Sequence, residues 1–334
     1  MRAVYLKEKG IFIEKDIPKP QPGPGQVLVK VKSVGVCGSD VHYWEHCRIG
    51  KFVVEKPLIL GHEVSGEIAE IGRDVEGFCI GDKVVIEPGT PCGRCGYCKT
   101  GRYNLCKEIK FFATPPFDGA FCEYIAHNSD LIFKIPEGID MDTATLVEPL
   151  SVGTFAAQRA GIGLLDRIII YGAGVIGICC MLIAKEWGAA DITMVDIREE
   201  RLKLALEMGA DKTIRIPVEE APGETYDLAF ECTGVAASLK DACRTVKPGG
   251  KIHVLGLGAN SLQEIPIVDV VVGEQTITTS FRYANAFAVT LDIIKKQKEK
   301  LSKFITHKFA LNDIQKAFET AKNDKDAMKV IVNL

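Results

Sequence analysis

Four cysteines, Cys92, Cys95, Cys98 and Cys106, stand in the run PCGRCGYCKTGRYNLC, separated by two, two and seven residues. Gly93 and Gly96 in the short gaps let successive sulfurs turn inward on one ion, and the fourth closes a tetrahedron. Zinc is the simplest occupant. Four thiolates on Zn²⁺ leave a local charge of about −2, which Arg94, Lys99, Arg102 and Lys107 are close enough in sequence to offset. An iron and sulfur cluster is the competing reading, although the ferredoxin run closes with three intervening residues and this one with seven. Four sulfur ligands leave no open position, so such a site staples a loop and does not catalyse.

A second set is scattered: Cys37 in VCGSDVHYW, His62 and Glu63 in LGHEVSG, and Glu148 in VEPLSVG. Each alone reads as structural, since a Cys near a strand end, a His beside a Glu and a Glu before a Pro are all commonplace. Together they supply thiolate, imidazole and carboxylate. That set can hold a catalytic zinc and leave one position for water or substrate.

A third pattern, Gly172, Gly174 and Gly177 in YGAGVIG, follows the apolar run Ile168 to Tyr171 and opens a helix at Val175 and Ile176. The first glycine permits a tight turn, the second lets backbone approach a pyrophosphate, and the third lets helix and strand pack closely. Amides at the helix N-terminus then face the phosphates. Nineteen residues beyond Gly177, Asp196 ends the next strand, where its carboxylate can accept from the adenosine ribose hydroxyls and repel a 2′-phosphate. NAD is the cofactor this favours over NADP, with Arg198 two residues on softening the discrimination.

These groups need elements to hold them. Up to about Glu148 the chain is a series of short β-rich runs punctuated by Gly and Pro, such as QVLVKVKSVGV and DKVVIEPG. From near Asp140 strand and helix alternate, through RIIIY, VIGICCMLIAKEW, DITMVD and REERLKLALEMG, the signature of crossover units on a parallel sheet. The tail adds helices in AFAVTLDIIKKQKEK and NDIQKAFETAKN and a last strand, MKVIVNL, that could pair in either half.

Composition closes off other classes. With 334 residues, 47% hydrophobic and 25% charged, the chain is a globular protein long enough for two domains. A net charge of −3 cannot build the basic face that nucleic acid requires. The longest uncharged stretch, Ile168 to Ala184, falls short of the roughly 18 residues of a membrane span and is broken by glycines. The charged N-terminus does not read as a secretory signal, so a cytoplasmic location is expected, where closely spaced cysteines point to metal before disulfides.

Taken in order, CGSDVHYW, LGHEVSG, the four-cysteine run, FFATPP, VEPLSVG, GAGVIG with its acid, and FRYAN near Phe281 resemble the zinc-dependent medium-chain dehydrogenases, and within them the polyol dehydrogenases. The resemblance implies an α/β protein: a GroES-like β-rich catalytic domain over residues 1–147 and 287–334, and a Rossmann doubly wound parallel-sheet domain over 148–286. It also implies one catalytic and one structural zinc. Catalytic zinc would be held by Cys37, His62 and a carboxylate, with Glu63 the first choice and Glu148 exchanging on and off the metal. Ser39 and His42 match the family's proton-relay positions; Tyr43, Phe112, Arg282 and Tyr283 match its substrate pocket. The activity implied is NAD-dependent oxidation of a small polyol to a ketose, the alternative being an L-threonine or secondary-alcohol dehydrogenase of the same build. The assembly implied is a homo-oligomer, tetramer or dimer.

Overall fold

Valine dominates QVLVKVKSVGV, and this β-branched run forms the Gln26–Val36 strand inside a seven-stranded sheet. The computed structural model describes residues 1–258 and 265–334. Glu63–Ile71 pairs antiparallel along one side of Gln26–Val36, with Glu63 opposite Gly35. Lys329–Asn333 pairs antiparallel along the other side, with Val330 opposite Val36. The final strand therefore belongs to the sheet of the first half. Lys83–Ile86 and Ile132–Lys134 extend it on one edge, Ile305–Ala310 on the other, and Tyr124–Asn128 adds to Gln26–Val36.

Val27, Val29, Val31 and Val34 pack with Ile86, Phe121 and Phe318 in one apolar core. The Ile314–Asn323 helix turns Ile314, Ala317 and Phe318 inward at helical spacing, and Phe318 meets the edges of Phe12 at 4.8 Å and Phe121 at 5.7 Å.

The chain divides into two compact units, Met1–Glu148 with Phe287–Leu334, and Pro149–Ala286. In the second unit six parallel strands lie in the order Lys212–Arg215, Asp191–Asp196, Arg167–Tyr171, Tyr226–Glu231, Val246–Val254, Thr276–Thr279. Numbered along the chain this is 3-2-1-4-5-6, so the order reverses between Arg167–Tyr171 and Tyr226–Glu231. Ligands of such sheets bind at the carboxyl ends of the strands flanking that reversal. The Val175–Glu186 helix is buried from Gly177 to Ala184, which is why its sequence is apolar all round, and Cys179 and Cys180 are part of that packing. Among the described residues no helix is long and apolar enough to cross a membrane.

Candidate active site

Cys37 is the N-cap of the Gly38–His46 helix, and one turn in, the fully buried Asp40 folds back on it. Asp40 Oδ2 accepts from the Cys37 amide at 3.1 Å, and Oδ1 accepts from the Gly61 amide at 3.1 Å and lies 3.4 Å from His62 Nδ1. One carboxylate thus ties the thiol-bearing turn to the His62 loop. Burial pushes the His62 pKa down, but Asp40 and Cys37 outweigh it and hold the imidazole well above its ordinary range. With Nδ1 turned to Asp40, Nε2 is the nitrogen left for a metal.

Glu63, the next residue, is also fully buried, and both its oxygens accept from Lys329 Nζ, at 2.6 and 2.7 Å. Lys329 Nζ donates as well to the Val36 carbonyl at 3.3 Å. Space for the Glu63 carboxylate exists because residue 35 is glycine: a Cβ there would fall 1.9 Å from Oε2. Cys37, His62 and Glu63 offer donor atoms within 4.8 Å of one another. Sulfur, nitrogen and oxygen at that spacing suit a zinc ion with a fourth position open. Glu148 is buried but outside this trio.

Ser39 and His42 lie one helical turn apart on the Gly38–His46 helix, Ser39 half-buried and His42 exposed. Tyr43 is buried within the apolar core. Phe112 is half-buried and sets its ring against the edge of His127 at 5.0 Å, while its neighbour Phe111 approaches the His62 ring at 5.9 Å.

Cys92, Cys95, Cys98 and Cys106 converge so that their sulfurs lie within 4.8 Å of one another. Cys95 and Cys98 are 3.4 Å apart and Cys92 and Cys98 are 3.9 Å apart. Four sulfurs at the usual Zn–S distance would be separated by about 3.8 Å, so the set fits the ion. Backbone amides of Arg94 and Cys95 bring the Cys92 thiol down to about 7, whereas removal from water and the neighbouring thiols push Cys98 up to about 12. Arg94 itself is exposed and turned to Glu108 at 2.7 Å.

In the second unit Gly172, at φ +96°, makes the turn that ends the Arg167–Tyr171 strand. A Cβ on Gly177 would fall 1.8 Å from the Gly172 carbonyl oxygen, so the helix starting at Val175 can lie this close to the strand only with glycine there. Asp196 accepts from the Ala173 amide at 2.8 Å and the Arg198 amide at 2.9 Å, which fastens the glycine loop to the neighbouring strand end. Its carboxylate retains lone pairs for ribose hydroxyls. Arg198 is exposed, but Arg201 reaches back to the loop: a Cβ on Gly174 would meet its Nη1 at 3.2 Å, and its buried Nε has no hydrogen-bond partner among the described residues. A buried donor left open beside a phosphate-type loop fits a dinucleotide. Farther along, Arg282 is a non-glycine residue at φ +53° with its guanidinium 4.8 Å over the Phe281 ring, and Tyr283 is buried.

Asp40, Lys329 and Arg201 did not emerge from the sequence. Asp40 had a local signal, an acid at the third helical position after the Cys37 cap. The other two had none.

Known proteins share this sequence and fold over most of their length. The model of the alcohol dehydrogenase GroES-like domain matches residues 23–137, and that of the zinc-binding dehydrogenases matches residues 175–296. Sorbitol dehydrogenase of Gallus gallus is 41% identical over 96% of this chain and 93% of its own length. L-idonate 5-dehydrogenase of Vitis vinifera is 37% identical over 94% of this chain and 90% of its own length. An Escherichia coli oxidoreductase/dehydrogenase of unknown specificity has a similar structure, with a TM-score of 0.93 and 35% identity over 99% of this chain and 98% of that one. The chain belongs to the zinc-dependent medium-chain dehydrogenases, on their sorbitol dehydrogenase-like branch.

Proposed function

We infer that this protein oxidises a secondary hydroxyl of a small polyol to the ketone, with zinc and NAD as its cofactors. The observation that carries the reading is the Cys37, His62 and Glu63 trio, a three-ligand set of the kind that leaves a fourth position to water or substrate, in a chain akin to sorbitol dehydrogenases. Zinc supplies a Lewis acid that lowers the pKa of a hydroxyl, and the nicotinamide of NAD supplies a hydride acceptor.

Cys37, His62 and Glu63 hold the ion, Asp40 orients His62, and Lys329 offsets the charge of Glu63. Glu148, also buried, would be the carboxylate that goes on and off the metal. Ser39 and His42 pass the hydroxyl proton from the half-buried to the exposed end of one helix face. Gly172, Gly174, Val175, Ile176 and Gly177 receive the pyrophosphate, Asp196 accepts from the ribose, and Arg198 and Arg201 face the phosphate side. Arg282 offers several donors in a fixed fork to a polyhydroxylated chain, and Tyr283 and Phe112 are the aromatic side chains this reading assigns to the substrate. Tyr43, enclosed in the apolar core, is the remaining side chain this reading assigns to the substrate.

The same reading takes the protein to be a cytoplasmic homo-oligomer, tetramer or dimer. Twelve cysteines, all of them free, suit a reducing compartment. Val268, Val271 and Val272 are exposed on the Ile267–Val272 helix next to the uncharged edge strand Thr276–Thr279, which lacks the charges that guard a solitary edge.

The test is a metal count per subunit together with NAD-linked rates on sorbitol, xylitol, galactitol, L-threonine and a simple secondary alcohol. Two zinc ions and a preference for polyols are expected. Cys37→Ser and His62→Ala should abolish turnover and leave NAD binding nearly intact; full activity in either variant would remove the catalytic metal from the account.

A further inference from the structure

The Gly38–His46 helix carries a pair of metal-binding groups beyond the trio. His42 and His46 are four residues apart, both exposed, with ring centroids 4.7 Å apart and planes at 66°. Side chains at this spacing share one helix face, and it is the spacing by which two histidines of a helix grip a single ion in H-E-x-x-H sites. Neither imidazole makes a hydrogen bond or ion pair among the described residues, so their nitrogens are not committed elsewhere. Glu45, between them in sequence, is held by Lys322 at 2.5 Å and leaves the pair as a two-nitrogen chelate completed by water. Imidazole favours copper, nickel and zinc over magnesium or calcium.

We propose that His42 and His46 form a surface chelate for a divalent transition-metal ion, and that filling it withdraws His42 from the proton relay. The second half rests on the relay role assigned to His42 above; the chelate itself rests on the helix geometry alone. Excess metal would then slow the enzyme from a site separate from both zinc positions.

Nickel is the probe. The holoenzyme, with its zinc content measured before and after, is equilibrated with Ni²⁺ and the bound metal counted. One nickel per subunit is expected, with zinc unchanged and NADH formation falling as the nickel site fills. His46→Gln, at an exposed position outside the catalytic groups, should keep the basal turnover, lose that nickel and resist the inhibition. Equal nickel uptake by both proteins, or none by either, overturns the chelate. Uptake lost in His46→Gln but without effect on wild-type turnover upholds the chelate and overturns the relay role of His42.

Discussion

Lys329 and Glu63 are 266 residues apart in sequence and form a closed ion pair in which one ammonium donates to both carboxylate oxygens, at 2.6 and 2.7 Å. Both are essentially inaccessible to water, at 1% and 0% side-chain exposure. Burial lowers the pKa of Lys329, but the Glu63 and Cys37 charges outweigh it and hold the ammonium above its ordinary range. An ion pair in this setting stabilises little over an apolar pair, yet removing one partner strands the other. Lys329→Met should therefore cost about 3–5 kcal/mol, read from denaturant midpoints, while Lys329→Arg should recover part of it. A Met variant as stable as the wild type would mean that Glu63 is neutral or otherwise paired.

The cysteine lobe should matter to folding more than to chemistry. Cys98→Ser is expected to lower zinc from two ions per subunit to one and to reduce Tm. A loss of about 3 kcal/mol corresponds to roughly 6–12 °C in a unit of this size. Unchanged metal content and Tm would contradict a structural zinc there.

Asp196 has two duties that a single substitution separates. Its bonds to the Ala173 and Arg198 amides hold the glycine loop, so Asp196→Ala should cost about 1–2 kcal/mol of stability. If it also receives the ribose hydroxyls, KM for NAD should rise more than KM for NADP. Steady-state kinetics with both cofactors decides this, equal increases speaking against ribose recognition.

Glu87 makes stability depend on pH. It is 3% exposed, and burial, partly countered by the hydrogen bond from Tyr103 at 2.6 Å and reinforced by Glu148, raises its pKa to about 7. A folded pKa above the unfolded value of 4.5 favours folding below pH 4.5, and that advantage is lost as pH climbs through about 7. The shift amounts to about 3 kcal/mol. Glu87→Gln retains an acceptor for Tyr103 and should match the wild type near pH 5 but exceed it in Tm at pH 8. His127, whose burial lowers its pKa to about 4, acts in the opposite sense, its contribution disappearing as pH falls from 6.5 through 4. Parallel Tm curves for Glu87→Gln and wild type from pH 5 to 8 would rule out the buried carboxyl as the source.

Much of this protein is written in short stretches of its chain. The cysteine lobe and the glycine turn carry their own geometry, because sulfurs two residues apart, or glycines at a strand end, reach their positions with few intervening dihedrals to fix. The strand Ile168 to Tyr171 and the helix behind it are likewise local patterns of apolar residues. Long-range partners leave no such trace. Lys329 meets Glu63 because Lys329–Asn333 and Glu63–Ile71 flank Gln26–Val36 in one register, with Gly35 opening the space between them. A slip of one residue would turn either side chain to the other face of the sheet. Arg201 in the same way reads as one more charge in REERLK until the parallel pairing of Asp191–Asp196 with Arg167–Tyr171 brings its helix to the glycine loop. The choice of Glu63 over Glu148 as the carboxylate beside Cys37 and His62 follows from that packing too, since side chains remote in sequence find each other only once the sheet has set the distance between them.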